Sequence, residues 1–170
     1  MNRSRQARAM ALGGVMAALA VIIMCLGGLI PVATYVCPML CMMLLCFVLE
    51  STSSRVAWAW YAAVSFLSLL LGPDKEAAAI FLFLGYYPIV KPWLDRRKFR
   101  ILWKALLFNG AILLVYALLI RLFGMDQLGA EFRELGLALT GVLLLVGNVT
   151  FALLDRILGQ FSRKMHRTGR

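Results

Sequence analysis

The chain has 170 residues, 62% of them hydrophobic, with a mean hydropathy of +0.85. A water-soluble domain cannot hide that much apolar surface, so a soluble enzyme or binding module is excluded and a single membrane-embedded domain is expected. The 18 Lys and Arg against 8 Asp and Glu leave a net charge of +10, but the cations lie in loops and tails between apolar runs, where anionic inner-leaflet lipid is the partner and nucleic acid is not.

Residues 1–8 form a short basic tail with Arg3, Arg5 and Arg8. The apolar run 9–30 is long enough to span and is not followed by an Ala-x-Ala cleavage site, so it is expected as a retained first span, ended by Pro31. The loop 31–38 carries no charge. Residues 37–49 make a short second span that closes at Glu50 and the Ser/Thr run 51–54. The third, 55–71, has Trp58 and Trp60 near its start as interface anchors.

An acidic-basic turn of Pro73, Asp74, Lys75 and Glu76 opens the fourth segment. From Glu76 to Val90 a helix rises about 22 Å, short of the roughly 30 Å hydrocarbon core, and it spans with help from Tyr86, Tyr87, Trp93 and long cationic side chains. Pro88 and Pro92 are expected to end it. The cluster Lys91, Arg96, Arg97, Lys98, Arg100 and Lys104 is the largest block of positive charge inside the chain and is assigned to the cytoplasm.

The fifth span is 101–122, with Gly124 as its stop. Residues 125–134, with Asp126, Glu131, Arg133 and Glu134, suit a short amphipathic turn on the outer membrane surface. The sixth span, 135–155, leads into a basic tail with Arg163, Lys164, Arg167 and Arg170. With six spans, 15 of the 18 Lys and Arg fall on the cytoplasmic side and only Lys75, Arg121 and Arg133 outside. The expected fold class is therefore an all-α integral membrane protein, six transmembrane helices with N- and C-termini cytoplasmic.

No duplication of spans supports an inverted-repeat transporter, and no catalytic constellation is present. The only histidine, His166, sits in the basic tail, so the chain is read as a non-enzyme without cofactor or metal. Cys37 and Cys41 lie one turn apart, which would allow a shared metal or oxidation. The four cysteines, with Cys25 and Cys46, are better read as small apolar thiols filling a helix interface. Asn109 and Asn148 fall in the inner half near the level of Tyr86 and Tyr87, and the four are expected to satisfy one another across helices.

Two groups are candidate sites. On the first span Ala7, Ala11, Gly14 and Ala18 fall at steps of four, three and four, a flat stripe with Gly13 and Ala17 beside it. Such a stripe serves either packing within the bundle or a separate protein partner. In the outer half, Tyr61, Ser65 and Ser68 share a face of span three. Together with Tyr116, Thr140, Tyr35 and Lys75 they suit a pocket for a small aromatic or heterocyclic metabolite with an anionic group. Each also has a local reading: Lys75 a solvated cation, Asp74 an N-cap, Glu76 a first-turn acid, the hydroxyls bonded to their own backbone.

Six spans of uneven length in under 200 residues, basic cytoplasmic tails, the spacing AxxxA at Ala7 and Ala11 and GxxxA at Gly14 and Ala18, and the proline-flanked PVATYVCP segment together resemble the substrate-binding S components of energy-coupling factor transporters. The resemblance implies that the small-residue stripe contacts a transmembrane coupling subunit, that a vitamin or precursor binds near the outer face beneath the first loop, and that ATPase subunits drive uptake. The alternative from the residues alone is a non-transporting structural or assembly protein of a bacterial inner membrane.

Overall fold

A computed structural model describes residues 3–27, 33–122 and 126–168, with side chains described for 7, 10–27, 33–121 and 141–165. Its elements are α1 (Arg3–Leu26), α2 (Ala33–Ser51), α3 (Ser54–Leu71), α4 (Lys75–Leu84), α5 (Tyr87–Asp95), α6 (Arg100–Leu122) and α7 (Asp126–Thr168). All are helical because lipid offers no partner for a backbone N–H or C=O, and a helix satisfies both within one segment. Five stretches are long and apolar enough to cross a membrane: Ala33–Ser51, Ser54–Leu71, Lys75–Asp95, Arg100–Arg121 and Gly141–Met165. On α1, Met10–Leu26 is apolar but shorter. The chain is an all-helical, multi-pass membrane protein.

Helices α3 and α6 each begin one residue before the expected position. Ser53 caps α3, its hydroxyl accepting from Val56 N, and Asp74 caps α4 as expected, accepting from Ala77 N at 3.0 Å. Four expectations are corrected. The uncharged loop 31–38 is mostly helix, because α2 starts at Ala33 and Pro38 lies buried inside it. That proline sits only one turn from the helix start, where it forfeits a single backbone bond.

The prolines of the fourth segment do not end it. The chain breaks at Gly85 and Tyr86 and resumes as α5, with Pro88 in the first turn, where no N–H is needed, and Pro92 further on. The combined stretch Lys75–Asp95 has 21 residues, about 31 Å at about 1.5 Å each, and it carries the charged Lys75, Glu76, Lys91 and Asp95 toward its two ends. The described parts of the expected surface connector, from Asp126, and of the basic tail, to Thr168, both belong to the 43-residue α7. Lastly, Trp60 is buried at 4% exposure and is a core residue, whereas Trp58 stays at the surface. The expected stops Pro31 and Gly124 lie outside the described residues.

Helix α2 is the hub, packing on α1, α3, α4, α5 and α7, while α4 packs on α2, α3 and α6. Their shared core holds Cys41, Leu45 and Val48 of α2, Phe81 of α4, Tyr87 of α5, Leu119 of α6 and Leu158 of α7. The cysteines fill this interface as small hydrophobes. Cys37, Cys41 and Cys46 are buried and all four are free thiols, and Cys41 donates weakly to Ala20 O at 3.5 Å.

Helices α6 and α7 meet through Phe108 stacked on Phe151, ring centroids 4.9 Å apart. Gly147 lets them close, since a Cβ there would come within 3.2 Å of the Phe108 ring. Leu102, Leu106, Leu113, Leu145 and Leu153 are exposed on this pair and present an apolar face suited to acyl chains.

Candidate functional site

Polar side chains gather at the two ends of the bundle. At one end the first turn of α2, the first turn of α4 and the late part of α6 converge. Tyr116 donates to Glu76 Oε1 at 2.8 Å, Tyr35 reaches the same oxygen at 3.1 Å, and the two phenol oxygens are 3.1 Å apart. Beside them Thr34 donates to Asp74 Oδ2 at 2.7 Å. Asp74 and Glu76 are held there by the capping of α4, so one local motif supplies both acids of the cluster.

Lys75 turns the other way. Its ammonium donates to Leu69 O at 2.8 Å and Gly72 O at 2.9 Å, closing the end of α3. No ion pair to Asp74 or Glu76 is present among the described residues. The cluster therefore offers carboxylate and phenol oxygens, and the cation expected to meet an anionic ligand is occupied by backbone carbonyls.

The remaining pocket residues are placed elsewhere. Tyr61 donates to Leu82 O, the carbonyl that a continuous helix would have given to Tyr86 N, and so repairs the break in the fourth segment. Its ring packs among Trp58, Phe81 and Tyr86. Ser65 and Ser68 are buried on the core face of α3 with Trp60 and Val64. Thr140 lies outside the described side chains. Among the described residues of the seven, Tyr35 and Tyr116 meet across helices, and the acid that joins them, Glu76, has only the ordinary role of a first-turn acid in the sequence.

The stripe on α1 lies outside the packed face of the bundle. Ala7, Ala11, Gly14 and Ala18 are all exposed, and a Cβ on Gly14 would meet nothing within 4 Å. Packing inside the bundle uses the neighbouring face: Gly13 is buried, a Cβ on it would lie 3.9 Å from the Val56 side chain, and Ala20 and Met24 are buried.

The opposite, basic end holds a network the sequence reading missed. Asp155 of α7 accepts from Tyr87 at 2.6 Å, from Lys91, and from Lys104 at 2.8 Å. Asp95 takes Lys104 at 2.5 Å and Lys91 at 3.6 Å. Two sequence signals point to it: Lys91 and Asp95 are spaced i, i+4, and Asp155 is the only acid after Glu134.

One level further in, Asn109 and Asn148 exchange two hydrogen bonds of 3.0 Å, each amide also donating to a carbonyl on its own helix. The expected amide pair is formed, but Tyr86 and Tyr87 are not its partners. Next to this network α2, α5, α6 and α7 enclose a cleft of about 920 Å³ whose walls include Leu49, Ile101, Phe151 and Ala152. No group of three or more potential metal ligands occurs among the described residues. Comparison of the chain with protein-family models, curated proteins and solved structures gives no match.

Proposed function

We propose that this protein is the substrate-capture subunit of a bacterial inner-membrane uptake system. In this reading α1 completes six spans, both termini are cytoplasmic, and the basic end of the bundle faces the cytoplasm. A separate transmembrane coupling subunit and its ATPases supply the energy. The observation that carries the proposal is the uncovered small-residue face of α1, formed by Ala11, Gly14 and Ala18, on a helix whose other face is fully used inside the bundle. Apolar contact alone does not drive association in lipid, and a flat stripe lets a partner backbone approach closely. The outer cluster of Tyr35, Glu76 and Tyr116 is the place for a small metabolite, a vitamin or precursor, and its carboxylates favour one that presents hydrogen-bond donors.

The test is a pull-down of the full chain from native membranes. Gly14→Leu should leave the protein folded, because the added side chain meets open space, yet abolish co-purification of a coupling subunit and ATPases. Gly13→Leu should instead lower stability, because Gly13 is buried against Val56 and the atoms beyond Cβ would overpack that contact. A Gly14→Leu variant that unfolds, or that retains its partners, would remove the support of α1.

One observation favours the second reading, a structural or assembly protein. Thr34, Tyr35 and Tyr116 already bond Asp74 and Glu76, and Lys75 already caps α3, which is what structural polar groups do. A thermal-shift screen of vitamins, precursors and nucleobases separates the two, since a ligand at a hundredfold excess over its Kd stabilises by about 2.7 kcal/mol. No shift for any compound would put the structural reading ahead.

A further inference from the structure

The cleft of about 920 Å³ at the basic end is lined by five cations, Lys91, Arg100, Lys104, Arg156 and Arg163, against three carboxylates, Glu50, Asp95 and Asp155, a balance of +2. The two lysines are committed to Asp95 and Asp155, and Glu50 accepts from Ser162 at 2.5 Å. Arg163 is partly held, its Nε donating to Gly159 O at 3.0 Å. Arg100 and Arg156 are exposed and have no carboxylate partner among the described residues. The excess charge therefore sits on guanidinium groups at the rim, whose planar forks match a phosphate in bidentate fashion.

From this rim the walls turn apolar on both long helices. Ile101 and Ala105 follow Arg100 along α6, and Ala152 and Phe151 precede Arg156 on α7, all of them lining the same cleft. We infer that this cleft is a binding site for one anionic phospholipid of the inner leaflet, its headgroup phosphate on Arg100 and Arg156 and an acyl chain along the α6–α7 wall. Charge complementarity selects the headgroup, and the apolar wall running from the rim toward the membrane interior selects a lipid over a free anion. The inference rests on the cytoplasmic placement of the basic end given above but not on transport itself, since the cleft is at the other end of the bundle from the outer cluster and is lined by no residue of α1.

The experiment uses the full-length protein in phosphatidylcholine nanodiscs, titrated with phosphatidylglycerol and read by native mass spectrometry. Each arginine at an anionic surface is worth about fivefold in affinity, so Arg100→Gln with Arg156→Gln should weaken phosphatidylglycerol binding about thirtyfold. Arg100→Lys with Arg156→Lys should recover only part of it, because an ammonium keeps the charge but not the bidentate fork. Arg55→Gln with Lys98→Gln, exposed cations of the same end outside the cleft, should stay within about twofold of wild type. Circular dichroism of each variant checks that the helices persist. The inference is overturned if wild type prefers phosphatidylglycerol no more than phosphatidylcholine, or if the Arg55 and Lys98 control loses as much as the cleft pair. It is equally overturned if inorganic phosphate displaces the lipid at comparable concentration, which would make the site one for a free anion.

Discussion

Removing the charge of Asp155 tests how the basic end is held together. The carboxylate is 20% exposed and accepts from Lys91, Lys104 and Tyr87, and the two lysine side chains are only 14% and 12% exposed. With Asp95, the four charged groups sum to zero. Asp155→Asn keeps the shape and an acceptor for Tyr87 but leaves a net +1 in a poorly solvated cluster. Losing one partner of a buried pair costs about 3–5 kcal/mol, and because Asp95 still faces both ammonium groups, a value near the lower end, about 3 kcal/mol, is expected. Asp95→Asn, at a residue 38% exposed, should cost no more than about 1 kcal/mol. Lys91→Met combined with Asp155→Asn restores neutrality and should recover more than half of the loss. The assay is reversible unfolding in mixed micelles followed by tryptophan fluorescence. A cost below about 1 kcal/mol for Asp155→Asn, or a double variant whose loss is the sum of the singles, would refute the argument that charge balance stabilises this end.

Replacing Asn109 and Asn148 by Leu, singly and together, should give a coupling energy of about 1 kcal/mol, in the upper part of the range for polar pairs between membrane helices; additive losses would mean that the reciprocal amide pair contributes nothing of its own. At the break in the fourth segment a Cβ on Gly85 would lie 2.4 Å from Phe81 O and 2.8 Å from its ring. Gly85→Ala should therefore cost about 1–3 kcal/mol in the same unfolding assay, and a variant as stable as wild type would show that the close approach is relieved without strain. A cysteine introduced at Arg97 should resist an impermeant thiol reagent in intact cells and react once the membrane is opened. The native thiols, three buried and one half-buried, keep the background low, and labelling in intact cells would invert the assigned topology.

How much of this protein was legible in its sequence follows from what hydropathy measures. An apolar run bounded by charges fixes how deep each residue sits, and that is why the helical membrane class, the limits of α3 and α6, the cap at Asp74 and the pairing of Asn109 with Asn148 could be read from the chain. The same depth scale says nothing about which way a side chain points around the helix axis. Tyr61, Tyr35 and Tyr116 share one level on that scale, yet packing turns Tyr61 toward Leu82 O and the other two toward Glu76. Lys75 was placed on the correct turn, but only the return of the chain after α3 brings two unpaired carbonyls within its reach.

Helix continuity was also decided in three dimensions. Proline and polar residues argue for stops at 88 and across 125–134, but a first-turn position relieves Pro88, and α7 runs unbroken through the polar stretch. The convergence of Lys91 and Lys104 on Asp155, which lies 64 and 51 residues from them in sequence, exists only because α5, α6 and α7 meet at one end of the bundle. No local pattern encodes that meeting, since each of the three charges by itself is an ordinary cap or flank of its own span.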